Sequence, residues 1–367
     1  ANDVSTVAQT SGWTNLNNSL GITQFYGGAA NSAGLIIGGT QDNGNLRADP
    51  VGFSGWTDFT GGDGGYVAAD PTNVNYFYTE YIHLTIQRST NGAGSASYIY
   101  CNPVPANNGP CTTSGILDAA KGDEFANFIA PFILDPNDPN RMLAGGISLW
   151  RSNNIKAAGQ PTWAEIKSPV APRPPAPDPN PTPPISAIAV AKVNSDLVVV
   201  GHNDGQMYIS QNGLSTPATW SRIDNGTPQR YVMRIAIDET HNPNWIYATY
   251  GGFSSDNIYR TEDLGVTWTD VSGSGATSLP DVPVRSIVIN PVRPDYLYVG
   301  TEIGIFASED AGATWMLPQG GPANVAVDEL FYNQGKLAAA THGRGVYQVS
   351  TPGYLSPRCE QPTTTCP

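Results

Sequence analysis

Two aspartates lie in loops built for close approach to a ligand: Asp42 in Thr40-Gln-Asp-Asn-Gly44 and Asp63 in Gly61-Gly-Asp-Gly-Gly65. Two carboxylates about 5 to 10 Å apart across a cleft suit glycoside hydrolysis, one protonating the leaving oxygen and the other acting as base or nucleophile. The same side chains, with nearby carbonyls, also resemble the oxygen-rich set a calcium ion takes, although neither segment has EF-hand spacing. An aspartate among glycines can equally serve its own turn by accepting backbone N–H bonds. Further candidate ligand contacts are Gln41, Asn43, Tyr81, His83, Asp123, Glu124, His202, Asp204, Tyr250, Glu302, His342 and Arg344. The three histidines come from separated segments and read as isolated polar tips, since a metal needs converging ligands. Arg344 could fork onto a carboxylate or sugar hydroxyls, or pair with a neighbouring acid. Tyr250, beside Gly251, Gly252, Phe253 and Ser254, is expected to offer an aromatic ledge.

What must position these residues is a set of internal repeats. Thr261-Glu-Asp-Leu-Gly-Val-Thr-Trp268 and Ser308-Glu-Asp-Ala-Gly-Ala-Thr-Trp315 share the pattern S/T-x-D-x-G-x-T-W, each after two alternating apolar strands. The motif makes a tight turn between strands: Asp263 and Asp310 accept backbone N–H bonds, and Gly265 and Gly312 take positive φ. Trp268 and Trp315 then begin an outer strand and fill the gap between sheets. Weaker copies lead to Trp56, Tyr98, Trp163 and Trp220, and a seventh unit from Val325 to Val349 lacks an outer Trp. Gly12-Trp-Thr-Asn-Leu16 reads as that missing strand, so the first and last segments share a sheet and remove its edge. The expected fold is all-β: a single seven-bladed β-propeller over residues 1–352, with a Cys/Thr/Pro tail over 353–367. Strands A to D alternate outward from the axis, so the B–C and D–A loops share one face and the motif turns lie on the other. That face carries both long insertions, Cys101 to Glu124 and Pro169 to Pro184, and loops of this length are usually functional or disordered.

The motif resembles that of the Asp-box (BNR) propellers, which include sialidases, twin-propeller xyloglucan-active glycoside hydrolases, sortilin-type receptors and photosystem assembly factors. The resemblance implies the fold and leaves the function open, because one blade type serves all those roles. Gly39-Thr-Gln-Asp-Asn-Gly-Asn-Leu-Arg47 is also similar to the Thr-Asp-x-Gly-Gly-hydrophobic segment bearing a catalytic aspartate in xyloglucan-active hydrolases, with one residue inserted. Those enzymes draw their second carboxylate from a second propeller, which this sequence does not contain. Sialidases clamp a carboxylate with three arginines, whereas only Arg230 and Arg344 are expected on the working face here.

Acidic residues outnumber basic ones 31 to 18 over 367 residues, for a net charge of -13. A phosphate backbone would be repelled, which argues against a nucleic-acid partner. No run approaches the ~18 apolar residues of a spanning helix, so no transmembrane segment is expected, and the opening at Ala1-Asn2 reads as a processed chain. Four cysteines fall in two close pairs, Cys101 with Cys111 and Cys359 with Cys366, a layout suiting two local disulfides and a secreted, extracellular location. The leading expectation is a binding or scaffold propeller recognising a polysaccharide or a cell-surface or extracellular protein, with no cofactor required and calcium as the candidate ion. The alternatives are a glycoside hydrolase or lyase using Asp42 and Asp63, and a subunit of an extracellular assembly joined by strand addition.

Overall fold

The computed structural model describes residues 22–48, 55–173, 182–241, 244–318 and 321–350. Its strands form seven antiparallel sheets in which neighbours in space are neighbours in sequence. Blade 1 comprises Phe25–Ala30, Ile36–Thr40, Asn45–Ala48 and Trp56–Thr60, and blade 2 comprises Val67–Ala69, Phe77–Glu80, Ile86–Ser89 and Ser97–Tyr98. Blades 3, 4 and 5 likewise have four strands each, beginning with Phe132–Asp135, Ile185–Ala191 and Val232–Asp238. Among the described residues blade 6 has three, Val284–Ile289, Leu297–Thr301 and Gly304–Ser308, as does blade 7, with Val327–Asn333, Lys336–Thr341 and Gly345–Ser350. Each innermost strand packs on the next, and Val327–Asn333 packs on Phe25–Ala30, which closes the ring. The expected all-β, seven-bladed propeller is therefore the fold. The strand expected at Gly12–Leu16, with Trp13, and the tail bearing Cys359 and Cys366 lie outside the described residues. Among the described residues no helix is long and apolar enough to cross a membrane.

Local chemistry explains the outer half of blades 3 to 6. The Asp263 carboxylate accepts the Thr267 N–H at 2.8 Å and the Thr267 hydroxyl at 2.7 Å, while the Gly265 N–H donates to Thr261 Oγ1 at 2.8 Å. Asp310 repeats the arrangement with Thr314 and Ser308. Asn154 and Asn212 do the aspartate's work in blades 3 and 4, each accepting the N–H of a threonine, Thr162 and Thr219 respectively, at 2.8 Å. The following indole then reaches the preceding blade: Trp163 donates to the Ile99 carbonyl, Trp220 to Ile166, Trp268 to Ile223 and Trp315 to Val271. These bonds join sheets that share no backbone ladder.

The inner half has a recurrent irregularity that matters for the site. The pairing of strands A and B slips between Phe25 and Gly27, Ile185 and Ala187, Val232 and Arg234, Val284 and Ser286, and Val327 and Glu329. Each slip leaves an extra residue near the start of strand A: Tyr26, Ser186, Met233, Arg285 or Asp328. A bulge twists the strand and re-aims the side chains around it, here at the end of the axial channel where the B–C loops meet.

Candidate functional site

The bulges gather a polar network where blades 6, 7 and 1 meet. Asp328 accepts from Arg285 Nη1 at 2.8 Å and lies 3.2 Å from His342 Nδ1, and Arg285 Nε also binds Glu302 at 2.7 Å. The His342 ring lies 5.2 Å from that of Tyr26, whose hydroxyl donates to Gln41 Oε1 at 3.0 Å. Partial burial, and then the fields of Asp328, Asp63 and Asp42, hold the Tyr26 phenol above its ordinary range, so it stays a donor. Asp42 sits on the next turn, exposed and in the left-handed region at φ 57°, with its N–H donating to Asp63 Oδ1 at 3.0 Å. Asn43 braces the same turn through the Gln41 carbonyl.

The glycine run around Asp63 has a packing cause. Gly44 N–H donates to the Gly62 carbonyl at 2.7 Å and Gly64 N–H to the Thr40 carbonyl at 2.8 Å, laying one backbone flat on the other. A Cβ on Gly64 would sit 2.3 Å from the Gly44 carbonyl oxygen, and one on Gly39 would sit 2.1 Å from that of Gly65. Close approach thus explains glycines that a turn alone would not need. On the other side, a Cβ on Gly62 would meet the Tyr81 ring at 2.6 Å, so this aromatic lies directly beside the Asp63 loop.

Deeper in the channel, Arg234 of blade 5 reaches Glu329 of blade 7 at 2.6 Å and the Tyr66 hydroxyl of blade 2 at 2.9 Å. Burial opposes the Arg234 charge, but Glu329 and Tyr66 outweigh it and hold the guanidinium above its usual range. Arg234 and Arg285 correct the expectation that only Arg230 and Arg344 serve this face. Both are paired with carboxylates, and Arg230 is turned aside to the Gly251 carbonyl, Asp256 and Asn257 of its own blade. Arg344 is exposed at the tip of the blade 7 hairpin.

Glu80 ends the second strand of blade 2 and is completely buried. Its carboxylate accepts the N–H groups of Leu84 at 2.8 Å, Ala130 at 3.1 Å and Tyr66 at 3.4 Å, tying three chain segments together. Burial pushes this carboxyl up to about 8, against the pull of those amides. An unfolded glutamate titrates near ~4.3, so between that pH and 8 the unfolded chain binds fewer protons and stability falls as pH rises. We expect the stability difference between wild type and Glu80→Gln to decline by a few kcal/mol, in order of magnitude, from pH 5 to pH 8.5 in urea unfolding, then to level off. A difference that stays constant with pH would contradict this assignment.

Other expected contacts are placed elsewhere. His83 lies 3.0 Å from the Ala126 carbonyl and 3.8 Å from Asp123, forming a separate patch at blades 2 and 3 with exposed Glu124. His202 is no surface tip: it is fully buried, with Nδ1 2.9 Å from the Pro183 carbonyl and Nε2 3.3 Å from Lys167 Nζ. Burial and the Lys167 charge push His202 down to about 3, and burial lowers Lys167 to about 8. Tyr250 is fully buried as well, its ring edge-on to Tyr259, so the expected ledge is absent at that residue, while Phe253 is exposed. Asp204 accepts the Arg173 N–H and both Gln206 donors, anchoring the proline-rich insertion. The first insertion is a packed layer: Cys101 and Cys111 form a disulfide and join Ile116, Ala119 and Ala126 in one apolar cluster. Its buried Asp118 accepts the Trp150 indole and the Ser148 N–H, both at 2.9 Å. For calcium, one Asp63 oxygen is already committed to the Asp42 amide, and among the described residues no group of three or more His, Cys, Asp or Glu is arranged to hold a metal.

No protein-family model matches the chain. Over 157 residues it is 25% identical to an oligoxyloglucan-reducing end-specific xyloglucanase of Emericella nidulans, a match covering 39% of this chain and 18% of that protein. Among solved structures, the GH74 xyloglucanase of Xanthomonas campestris superposes with a TM-score of 0.59 at 16% identity, covering 90% of this chain and 53% of that one. An ancestral GH74 enzyme gives a TM-score of 0.63 at 17% identity, covering 93% and 46%. The chain thus spans about half the length of these solved enzymes and less than a fifth of the curated relative. At such identities the likeness shows the fold: this chain is a seven-bladed β-propeller similar to the propellers of GH74 xyloglucanases.

Proposed function

We propose that the chain is a secreted carbohydrate-recognising propeller of the Asp-box type, which grips a polysaccharide at the mouth formed by blades 6, 7 and 1. The observation that carries this reading is the exposed Asp42 turn, held by Asp63 and the stacked glycine backbones and flanked by Tyr26 and Tyr81. Fixed carboxylate acceptors beside aromatic rings are what sugar hydroxyls and the apolar faces of pyranose rings require. The buried Cys101–Cys111 disulfide supports an oxidising compartment. Asp63 already spends one oxygen on the Asp42 turn, which favours recognition over catalysis. A cell-surface protein is the other partner this face could take, and calcium would be an accessory to binding.

A second reading is a glycoside hydrolase using Asp42 and Asp63, supported by the likeness to xyloglucanase propellers and by the chain spanning about half of those enzymes. One experiment separates the two: titrate the chain with xyloglucan and other plant and microbial polysaccharides, and assay reducing ends in parallel for wild type, Asp42→Asn and Asp63→Asn. Recognition predicts binding without released ends, weakened roughly tenfold by either substitution, as expected for losing a charge-assisted hydrogen bond worth about 1.4 kcal/mol or more. Release of ends abolished by either substitution would establish the hydrolase instead. No binding to any glycan, with capture of an extracellular protein sensitive to Asp42→Asn, would move the partner to that class. Loss of binding on chelation, restored by calcium, would place an ion at this mouth.

A further inference from the structure

Two guanidinium groups share one buried carboxylate at the outer end of blade 4. Arg222 Nε and Nη2 donate to Asp224 Oδ1 and Oδ2 at 2.7 and 3.0 Å, and Arg173 Nη2 donates to the same Oδ2. Burial opposes the Asp224 charge, but Arg222 and Arg173 outweigh it and hold the carboxyl below its usual range. One anion thus faces two cations. Asp204 also stands near, yet its oxygens are taken by the Arg173 N–H and by Gln206, and its charge is offset by the buried Lys167, which has no carboxylate partner among the described residues. The bond to Asp224 uses two of the five N–H groups of Arg222. The opposite edge, Nη1 with the second Nη2 hydrogen, belongs to a side chain that is 47% exposed. Arg173 Nε is buried and has no hydrogen-bond partner among the described residues.

Both arginines line an open cavity of about 300 Å³, together with Asp224, Asn225, Thr227 and Gln229. Asn225 and Gln229 are exposed, so their amides can meet hydroxyl groups from either side of a hydrogen bond. The cavity is built as the Asp42 turn is, from a B–C turn laid against a D–A loop. A Cβ on Gly205 would sit 2.6 Å from the Pro228 carbonyl oxygen, which matches the approach of Gly64 to Gly44 in blade 1. We infer that this cavity is a second subsite, which takes the carboxylate of a uronic acid residue in an acidic polysaccharide. The inference rests on the reading that the chain binds polysaccharide, and it names which class. A guanidinium edge pairs with a planar carboxylate through two parallel hydrogen bonds, and the spare cation supplies the charge that a neutral sugar would leave unused. The volume is at the small end for ligand sites and suits one pyranose ring. Asp224 stays in place and holds both guanidinium groups in position.

Calorimetric titration of the full chain tests this with polygalacturonate, its methyl ester and xyloglucan. Wild type should bind the free acid about tenfold more tightly than the ester, because esterification removes the charge and one acceptor. That comparison needs no variant and does not depend on one folding. Arg222→Gln should remove the preference for the acid, and Arg222→Lys, which keeps the charge without the fork, should retain part of it. Equal affinity for acid and ester would overturn the inference, as would an acid preference that Arg222→Gln leaves unchanged. The Asp42→Asn variant separates this subsite from the mouth. Xyloglucan binding weakened by Asp42→Asn, with no preference for acid over ester, would keep the mouth and overturn the subsite. Acid binding lost in Arg222→Gln and unchanged in Asp42→Asn would keep the subsite and overturn the mouth.

Discussion

Arg234→Met is expected to destabilise the folded chain by about 3 kcal/mol, whereas Arg234→Met combined with Glu329→Leu should recover most of that loss. The guanidinium is 2.6 Å from the Glu329 carboxylate and each side chain is only 17% exposed, so removing the cation strands an anion with little water to receive it. Removing both charges removes the problem, apart from the Tyr66 hydroxyl, which loses a donor. With an unfolding entropy of about 2 cal/mol/K per residue, the single variant should melt roughly 4 °C lower. Equal losses in the single and double variants would show that the two charges are not coupled and that water fills the channel at this depth. Because the pair crosses from blade 5 to blade 7, the result also reports on how tightly the ring holds its axis.

Trp315→Ala should cost about 3 to 5 kcal/mol, the range for deleting a large buried aromatic, and Trp315→Phe about 1 to 2 kcal/mol. Trp315 is 3% exposed, and its indole donates to the Val271 carbonyl at 2.8 Å. Phenylalanine keeps most of the packing between blades 5 and 6 but leaves that carbonyl without its donor. The same pair of substitutions at Trp163, which is only partly buried, should show a smaller Ala penalty because less apolar surface is lost. Urea unfolding of the four variants measures both contrasts. A Phe variant as damaged as the Ala variant would assign the whole effect to the hydrogen bond.

Much of the scaffold could be read before any coordinates. The turn around Asp263 is complete within a few residues, since Thr261, Asp263, Gly265 and Thr267 satisfy one another locally. Its repetition supplied the blade number, and counting antiparallel strands sorted the loops onto two faces. Those operations place Gln41, Asp42, Asp63, Glu302 and His342 on one face, and contacts through Tyr26, Arg285 and Asp328 link them in the structure. They failed where burial depends on neighbours far away in the chain. His202 and Tyr250 end strands whose loops face solvent, yet both point inward, His202 covered by the segment around Pro183 and Tyr250 by the neighbouring sheet. Arg234, Arg285 and Asp328 escaped notice because a one-residue slip in strand A re-aims side chains that simple alternation would misplace.

By itself, then, the amino-acid sequence determined the all-β class, the repeat unit and the number of blades. Each of these follows from short-range turn chemistry and from the two-residue period of a strand. Only the tertiary structure decided which polar groups are spent on one another: Asp63 on the Asp42 amide, Arg285 on two acids, Glu80 on three buried amides. That division has a physical cause. Turns are satisfied within a few residues, whereas the electrostatic partners at the axis, such as Arg234 with Glu329 and with Tyr66, come from separate blades and meet only when the ring is closed.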